Sequence, residues 1–402
     1  MEKIVIIGAG IAGVTAAENI RKNNKDIEIV IISNENYLPY SRIKLSKYIS
    51  CDINYDDLLI HKNQWYKDLN IKIILSSEVT KVLPGEKAVI LCSGDRIEYT
   101  KLIFASGSRP FMPPFKGLNK TGIFSVRKLE DIINITKYIE DHEAKNIVII
   151  GGGVLGIEAA WSIKEKNSNL IVGIIENASR MLSRQVDEEG SEVIKKMFDD
   201  NNINLYLGET VQDICNGCDD TNDEVSYISL GNGNRVAADV VIISAGIRSN
   251  INIAKECNIN VNSGIIVDKN METNLKDIYA AGDVAEYEGH IWGLWAVATE
   301  QGRIAGLNAI GISTEYVETA PVSLLKVMGV SIFSAGEVNN KDIFSIKYEN
   351  GIYTKAFLKD GKLKGVVLIG DTKKGFSLKK AIDGERDFSK ELDQGVNLLH
   401  IL

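Results

Sequence analysis

The chain has 402 residues, of which 45% are hydrophobic and only six are proline, and its formal net charge at pH 7 is −8. This composition excludes a disordered, collagen-like or disulfide-scaffold protein and fits about two or three globular domains. A negative chain offers no general counter-charge to nucleic acid, so we expect no nucleic-acid binding. No apolar run reaches the roughly 18 residues of a membrane span, and the first run lacks a cleavage site. With only five cysteines at irregular spacing, we expect a soluble cytoplasmic protein that acts away from membranes.

The chain begins with the pattern of a β-α-β unit built around a glycine-rich turn. Apolar periodicity predicts strands at 3–7 and 27–32 and a helix at 11–22. The first turn reads Gly8-Ala9-Gly10-Ile11-Ala12-Gly13. In this fingerprint the first glycine permits the turn, the second lets a pyrophosphate approach the main chain, and the third lets helix and strand pack closely. We therefore predict a dinucleotide site on this turn.

A carboxylate that binds a ribose hydroxyl is expected at the tip of the second strand of such a unit. The tip reads Ser33-Asn34-Glu35, and Glu35 is its sole carboxylate. We therefore place Asn34 and Glu35 at the cofactor. The alternative interpretation of Glu35 is an ordinary turn residue.

The same design returns in the middle of the chain. A strand is predicted at 146–150, a helix at 157–166 and a second strand at 170–175. The second turn reads Gly151-Gly152-Gly153-Val154-Leu155-Gly156, and Glu176 follows Gly156 by twenty residues. A carboxylate there accepts hydrogen bonds from a 2′-hydroxyl and repels a 2′-phosphate, so this site should prefer NAD to NADP. Arg180 and Arg184 could soften that preference.

Two dinucleotide sites in one chain require a redox pair. Two nicotinamides would leave no electron acceptor between them, whereas FAD in one site and NADH in the other make a complete pair. Short apolar runs at 101–104, 239–243 and 278–280 end in small residues. Such endings are expected where the main chain passes close to a ligand.

At this point the sequence resembles a known family. The two fingerprints, the segment 105–110 and the segment 279–283 are similar to those of the FAD-dependent pyridine-nucleotide oxidoreductases, over residues 1 to about 310. The resemblance implies FAD in the first copy, NAD(P)H in the second, and a hydrogen bond from the flavin's ribityl or pyrophosphate region to Asp283. An alternative role for Asp283 is the N-cap of a helix that begins at Val284.

The implied fold class is α/β, with two Rossmann-like dinucleotide-binding domains, one for FAD and one for NAD, plus a small C-terminal α+β domain. We expect the first part of the FAD-binding domain at 1–110, the NAD-binding domain at 111–238, the second part of the FAD-binding domain at 239–320 and the C-terminal domain at 321–402. In the last domain, strands are predicted at 331–334, 344–348, 354–359 and 365–369, with a helix at 376–382.

The segment Tyr40-Ser41-Arg42-Ile43-Lys44-Leu45-Ser46-Lys47 lacks the cysteine pair of disulfide-reducing members. It resembles the corresponding segment of rubredoxin reductases, ferredoxin reductases and the flavin module of assimilatory nitrite reductases, and residues 321–336 extend this likeness. The resemblance implies that Arg42 and Lys47 approach the flavin and that Glu158 lies near nicotinamide and flavin as the partner of Lys47. We therefore name Lys47 and Glu158 as catalytic. Glu158 could instead be a solvated acid in the first turn of a helix.

The residues expected at the two cofactors on all these grounds are Gly8, Gly10, Ala12, Gly13, Asn34, Glu35, Arg42, Lys47, Val79, Ala105, Gly107, Arg109, Gly151, Gly153, Leu155, Gly156, Glu158, Glu176, Gly246, Gly282, Asp283, Trp295 and Lys326. We expect no metal. The neighbouring Trp292 could also flank the flavin, and packing in the protein core is the alternative interpretation of this residue.

The predicted activity is that of a FAD-dependent NADH oxidoreductase in the manner of rubredoxin reductases. NADH would transfer hydride to the flavin N5, and single electrons would then pass to a small acidic carrier protein such as rubredoxin. Two alternatives stay open. One is an NADH oxidase or diaphorase that reduces oxygen or small acceptors directly, and the other is a flavin-binding redox sensor.

Two further patterns have both a functional and a plain interpretation. Residues 355–380 contain eight lysines and two aspartates, which indicates either a solvated face or a docking surface for an acidic carrier. The pair Cys215 and Cys218 has C-x-x-C spacing, but the surrounding acidic residues favour a surface loop over a metal or redox site.

Overall fold

The structure is a computed structural model that describes residues 2–51, 54–217, 223–340, 344–348 and 352–395. The chain divides into two compact units. The first comprises Met1–Lys44, Ile53–Phe111 and Ile247–Glu318, and the second comprises Leu45–Asp52, Met112–Gly246 and Thr319–Leu402. Each unit is described by itself below.

The α-helices are α1 (Ile11–Asn23), α2 (Tyr55–Leu58), α3 (Asn63–Asp68), α4 (Leu129–Asp141), α5 (Val154–Lys166), α6 (Glu188–Asp200), α7 (Asn252–Glu256), α8 (Trp295–Ala309), α9 (Gly375–Asp383) and α10 (Ser389–Asp393). Short 3₁₀ helices lie at Arg42–Lys44, Ser46–Ile49 and Pro84–Glu86.

The strands up to the middle of the chain are β1 (Lys3–Ile7), β2 (Glu28–Ile32), β3 (Ile71–Ile74), β4 (Val79–Leu83), β5 (Ala88–Leu91), β6 (Arg96–Glu98), β7 (Lys101–Phe104), β8 (Ser108–Pro110), β9 (Ile123–Ser125), β10 (Asn146–Ile150), β11 (Ile171–Glu176) and β12 (Ile203–Leu207). The remaining strands are β13 (Val211–Cys215), β14 (Tyr227–Leu230), β15 (Arg235–Ala237), β16 (Val240–Ile243), β17 (Ile247–Ser249), β18 (Ile265–Ile266), β19 (Ile278–Ala280), β20 (Ala285–Glu286), β21 (Val322–Val327), β22 (Val330–Gly336), β23 (Phe344–Tyr348), β24 (Tyr353–Lys359) and β25 (Lys362–Ile369).

The first unit is built on a parallel sheet with the strand order β19-β7-β1-β2-β3. Its inner strands are runs of isoleucine and valine that are buried on both faces, as in α/β proteins. The chain moves outward from β1 through β2 to β3 and then returns to the other side of β1 with β7. The carboxyl ends of β1 and β7 therefore form a switch point, where such sheets bind ligands.

Helix α1, which begins at the first fingerprint, packs against α8. Two glycines of α8 make this approach possible. A Cβ on Gly302 would lie 2.3 Å from the carbonyl oxygen of Ala12, and one on Gly306 would lie 2.7 Å from that of Ala16. The start of α1 is thus held firmly beside the switch point.

The second unit repeats the first design and adds the C-terminal domain. Its parallel sheet has the order β12-β11-β10-β16-β9, so that β10 and β16 form the corresponding switch point. The C-terminal sheet is antiparallel, with the order β21-β22-β25-β24-β23. The predicted α/β fold class with a C-terminal α+β domain is confirmed.

A buried polar cluster joins the C-terminal sheet to α6. The Asp187 carboxylate caps the start of α6 by accepting from the Gly190 N–H at 3.3 Å. The Tyr353 hydroxyl donates to this carboxylate at 2.8 and 2.9 Å, and the Lys355 ammonium lies 2.9 Å from it. Burial, followed by the Asp187 contact, raises the pKa of the Tyr353 hydroxyl. These contacts fix where the C-terminal domain sits within the second unit.

The sequence-based prediction missed two small antiparallel sheets, β4-β5-β6 and β13-β14-β15, and the strand β21. Three C-terminal strands are one to three residues longer in the structure than the sequence predicted. The predicted ranges were 331–334, 354–359 and 365–369. The added end of β22 pairs with β25, about thirty residues away in sequence, whereas the added start of β25 pairs across a tight hairpin with Leu358 and Lys359.

Arg21 is a structural cation that the sequence did not single out. It is buried, and its guanidinium donates to the main-chain carbonyls of Asn24, Lys25, Ile27 and Asn70. Burial lowers the pKa of this guanidinium, and nearby Asp26 partly offsets the effect.

We expect Arg21→Met to lower the free energy of unfolding of the first unit by about 2 to 4 kcal/mol, because several buried carbonyls would lose their donor. Scanning calorimetry measures the loss. Lys22→Met, which removes an exposed pair with Glu18, is the control and should cost less than about 1 kcal/mol. Equal melting temperatures for the two variants would contradict this role of Arg21.

Candidate active site

The first fingerprint is shaped by contacts that exclude side chains. Gly8 has φ +112°, and a Cβ on it would lie 2.1 Å from the Ala105 carbonyl oxygen. A Cβ on Gly13 would lie 2.1 Å from the Gly8 carbonyl oxygen. Gly10, by contrast, faces open space, since no atom lies within 4 Å of a Cβ built on it. It is the N-cap residue of α1, and it has no side chain that could bind the first N–H groups of the helix. The start of α1 therefore offers open space and main-chain N–H groups, as a pyrophosphate site requires.

A cavity of about 300 Å³ opens beside this turn in the first unit. It lies at the carboxyl ends of β1, β2 and β7. Four residues that we placed at the cofactor line it: Gly8, Asn34, Val79 and Arg109. The location at the switch point and the open N-terminus of α1 fit an extended dinucleotide.

The sequence analysis did not identify Asn250 as part of the site. Asn250 lines the cavity, and its side-chain amide donates to the Ser106 carbonyl at 2.8 Å. Its main-chain N–H donates to the Gly107 carbonyl at 3.0 Å. The only available signal was its position just after the strand that follows Gly246, and that strand, β17, pairs with β8 in a register that the sequence does not specify.

Glu35 is buried and holds two partners. The Tyr40 hydroxyl donates to its carboxylate at 2.5 Å, and the Arg42 guanidinium forms an ion pair with the other oxygen. Burial lowers the pKa of Arg42, but the charges of Tyr40, Glu35 and Asp283 more than offset this, so that the pKa rises. The structure therefore gives Glu35 fixed side-chain partners, unlike an ordinary turn residue, and brings Arg42 to it.

Asp283 lies in a turn, and the strand β20 follows it. The alternative that Asp283 caps a helix beginning at Val284 is therefore wrong, because the chain enters a strand there. The Ser108 hydroxyl donates to the Asp283 carboxylate at 3.0 Å, and the Ser249 hydroxyl donates to its main-chain carbonyl at 2.6 Å.

The other predicted residues of the first unit lie around the same turn. Ala12 is buried, and a Cβ on Gly282 would lie 3.0 Å from the Ala12 Cβ. The Gly282 N–H donates to the side chain of buried Gln301 at 2.9 Å. Trp295 is the half-buried first residue of α8. Trp292 donates to Glu318 at 2.5 Å.

The second fingerprint has the same steric design as the first. Gly151 has φ +120°, and a Cβ on it would lie 2.3 Å from the Ser244 carbonyl oxygen. A Cβ on Gly156 would lie 2.0 Å from the Gly151 carbonyl oxygen, whereas Gly153 faces open space. Leu155 lies in the first turn of α5, and Gly246 follows β16. Both sheets thus present an open helix start at their switch points.

Glu176 ends β11 and folds back on the second fingerprint. Its carboxylate accepts from the Gly152 N–H at 2.6 Å and from the Ala178 N–H at 2.7 Å. The guanidinium of Arg180, which we expected to soften the preference for NAD, instead donates to the carbonyls of Ser183 and Val186 and to the side chain of Asn339. Arg184 is exposed.

Glu158 is partly buried in the first turns of α5. The Ser46 hydroxyl donates to its carboxylate at 2.9 Å. Burial raises the pKa of Glu158, and the Ser46 hydrogen bond partly offsets this. The Lys47 side chain is exposed, and the described contact of the Glu158 carboxylate is with Ser46, so the pairing of Lys47 with Glu158 stays a prediction. Lys326 is exposed on β21, opposite Ser331.

The described cysteines are not paired with one another. Cys51, Cys92, Cys215 and Cys257 are all free thiols. Cys215 is the last residue of β13, where it pairs with Tyr227, so the loop prediction is wrong for this residue. Cys218 lies outside the described residues, and for it the loop stays a prediction. Across the described part of the chain, no three His, Cys, Asp or Glu residues are grouped to hold a metal ion. None of the helices described is long and apolar enough to cross a membrane.

We expect Gly10→Val to weaken FAD binding at least about tenfold while the cofactor-free protein stays folded, because the new side chain fills the open space at the start of α1. Flavin fluorescence titration measures the affinity. Gly85→Val, another glycine with nothing within 4 Å but on a turn away from the fingerprint, is the control. Wild-type FAD affinity in Gly10→Val would place the pyrophosphate elsewhere.

Two family profiles match the sequence. The family described as "Pyridine nucleotide-disulphide oxidoreductase" matches residues 2–302. The "Rubredoxin NAD+ reductase C-terminal domain" matches residues 321–386. The two matches together span both dinucleotide fingerprints and the C-terminal sheet.

Comparisons with individual proteins point to the same kind of flavin-dependent reductase. The sequence is 38% identical over 392 residues to the NADH-rubredoxin oxidoreductase of Clostridium acetobutylicum, covering 96% of each chain. It is 34% identical to the nitrite reductase (NAD(P)H) of Bacillus subtilis over 97% of this chain and 48% of that protein, so it spans about half of that relative. The crystal structure of NADH:rubredoxin oxidoreductase from Clostridium acetobutylicum aligns with a TM-score of 0.78 and 37% identity, over 96% of each chain.

These matches confirm the resemblance that we drew from the two fingerprints, and with it FAD and NADH as the cofactors. The site geometry agrees, since each switch point combines an open helix start with an acid after the second strand. The chain belongs to the pyridine nucleotide-disulphide oxidoreductase family.

Proposed function

We propose that this protein is a FAD-dependent NADH oxidoreductase that passes electrons to rubredoxin or a similar small carrier protein. The observation that carries the proposal is the likeness to an NADH-rubredoxin oxidoreductase along 96% of both chains. A match of this length includes the C-terminal domain, which the "Rubredoxin NAD+ reductase C-terminal domain" profile also matches at residues 321–386. We place the protein in the cytoplasm.

The domain assignment proposed here follows the two switch points. The sequence placed the FAD-binding domain at 1–110 and 239–320 and the NAD-binding domain at 111–238, but β16 belongs to the sheet of the second unit. We therefore propose 1–110 and 247–320 for the FAD-binding domain, 111–246 for the NAD-binding domain and 321–402 for the C-terminal domain. The division of the chain into two compact units supports the boundaries near residues 111 and 247, since the first unit comprises Met1–Lys44, Ile53–Phe111 and Ile247–Glu318.

We propose that the first unit holds FAD through the start of α1, with Gly10 facing the pyrophosphate and Glu35 the ribose. Asn34, Val79 and Arg109 line the adjoining cavity, and the Ser108 hydroxyl orients the Asp283 carboxylate, which we propose as a further contact of FAD. When bound, FAD accepts two electrons from NADH and releases them one at a time to a one-electron carrier. The chain's own task is to bind and orient the two nucleotides, because positioning accounts for much of the rate in such transfers.

The proposed catalytic groups are Glu158 and Lys47. Burial makes the Glu158 carboxyl hold its proton more strongly than an exposed glutamate. Ser46 fixes the orientation of this carboxyl, so Ser46 is a positioning residue. The ammonium of Lys47 is exposed, and beside bound FAD it would supply positive charge that favours negative charge on the ring.

The test of the activity is NADH oxidation by the FAD-loaded protein under anaerobic conditions, with and without added rubredoxin. We expect a rate at least about tenfold higher with rubredoxin than without it. The same assay in air without rubredoxin is the control. Equally fast NADH oxidation by oxygen alone would favour an NADH oxidase, and a flavin reduced by NADH that no acceptor reoxidises would favour a redox sensor.

Nucleotide choice is proposed to depend on Glu176. We expect Glu176→Ala to lower the ratio of kcat/KM for NADH to that for NADPH about tenfold, and Glu176→Arg to lower it further, because the acceptor for the 2′-hydroxyl is replaced by a partner for a 2′-phosphate. Steady-state kinetics with both nucleotides measure the ratio. Glu165→Ala, an exposed acid of the same helix-strand unit, should leave it unchanged. An unaltered ratio in Glu176→Arg would show that Glu176 is not at the ribose.

A further inference from the structure

Much of the lysine charge in residues 355–380 is neutralised by acids that lie outside that stretch. The ion pairs are Lys355 with Asp187 and Glu189, Lys362 and Lys364 with Glu385, and Lys379 with Asp383. The excess of positive charge seen in the sequence is therefore not spread over a continuous surface. A docking surface, if the C-terminal domain has one, must use the lysines outside these pairs.

Helix α9 presents such a surface. Phe376 is 62% exposed on this helix, Lys380 is exposed one turn later, and Lys373 is exposed just before the helix. The opposite face of α9, with Leu378 and Ile382, is buried in the core of the C-terminal domain. We call Lys373, Phe376, Ser377 and Lys380 the α9 patch.

The exposed ring of Phe376 is held in place by the buried ring of Phe333. It packs edge-on against the buried ring of Phe333, with 5.5 Å between the ring centres and 70° between the planes. The start of α9 lies directly on Phe333, since a Cβ on Gly375 would come within 2.7 Å of that ring. The ring thus loses little conformational freedom when a partner covers it, which favours its use as an anchor.

We infer that the α9 patch is the docking surface for the small acidic electron carrier, an inference that rests on the proposed function. The whole chain has a net charge of −8, so an acidic carrier is repelled at long range unless a local positive surface receives it. Lys373 and Lys380 supply that charge on either side of one exposed aromatic ring. Aromatic side chains at the centre of an interface with charges at its rim are the usual arrangement of tight contacts.

The acids next to the patch do not cancel its positive charge. Asp383 is paired with Lys379, and the carboxylate of Asp371, which accepts from the main-chain N–H of Lys373 at 3.1 Å, is a single negative charge against the two exposed lysines Lys373 and Lys380. Ion pairs with a carrier at exposed lysines act mainly on the association rate, whereas burial of Phe376 acts on the lifetime of the complex. The two contributions can therefore be separated by experiment.

The experiment compares NADH-driven reduction of rubredoxin with reduction of a neutral quinone by the FAD-loaded full chain. For Phe376→Ala we expect kcat/KM for rubredoxin to fall about fivefold or more. For the double variant Lys373→Glu with Lys380→Glu we expect a loss of about tenfold at low ionic strength, which shrinks as salt shortens the ~10 Å screening length of 0.1 M. Quinone reduction should not change in either variant, because the α9 patch plays no part in the transfer from NADH to FAD.

Matched controls come from the same domain. Ile352→Ala removes another exposed apolar side chain, and the double variant Lys362→Glu with Lys364→Glu makes the same change of charge at lysines already paired with Glu385. Both should reduce rubredoxin at wild-type rates. Equal losses in controls and α9 variants, or normal rubredoxin rates in the α9 variants, would overturn the docking surface.

Two further outcomes would separate a failure of the proposed function from a failure of the docking surface. A wild-type protein that reduces the quinone but no rubredoxin would refute the proposed function rather than the placement of the patch. A change of oligomeric state in Phe376→Ala, measured by sedimentation, would assign the patch to a second copy of this chain and overturn the inference. Calorimetric titration of rubredoxin into each variant should show weaker binding wherever the rate falls.

Discussion

The architecture depends on main-chain atoms that approach so closely that a Cβ has no place between them. At each fingerprint the first glycine lies against the end of the neighbouring strand, Gly8 against Ala105 and Gly151 against Ser244. The third glycine lies against the carbonyl of the first, which brings the helix onto the sheet. These contacts leave the second glycine facing open space at the start of a helix. The absence of side chains is thus what creates both nucleotide sites.

Three acidic side chains then hold the elements around these sites in place, and each acid is bound by a different kind of donor. In the first unit Arg42 binds Glu35, and Ser108 binds Asp283. In the second unit Asp187 joins α6 to Tyr353 of the C-terminal sheet. A buried charge with all its partners present orients its neighbours, and removal of one partner is costly. The glycines thus leave space for the nucleotides, and the hydrogen bonds and ion pairs of these acids hold the surrounding elements in place.

The sequence predicted the features that depend on local pattern. Both fingerprints, the strands before them and the acids Glu35 and Glu176 were found because strand periodicity and glycine spacing are local properties. Contacts between distant residues were not predictable in the same way. Nothing in the sequence shows that Ser46 meets Glu158, because that depends on how a 3₁₀ turn is oriented on α5. Asn250 was missed because its place depends on the pairing of β17 with β8. The neutralisation of several lysines in residues 355–380 was not predictable for the same reason, since the acids that pair with them include Asp187 and Glu385.

The two fingerprints use their acids differently, and the difference bears on selectivity. Glu35 of the first copy is bound by the side chains of Tyr40 and Arg42, so its charge is compensated by a cation before any ligand arrives. Glu176 of the second copy is bound by main-chain N–H groups of its own turn, and among the described residues Arg180, the nearest cation in the following loop, is turned toward Ser183, Val186 and Asn339. In the role proposed for Glu176, its negative charge remains available to repel a 2′-phosphate, whereas the charge of Glu35 is largely offset by Arg42. We therefore propose that a preference for NADH depends as much on the direction of the Arg180 side chain as on the presence of Glu176.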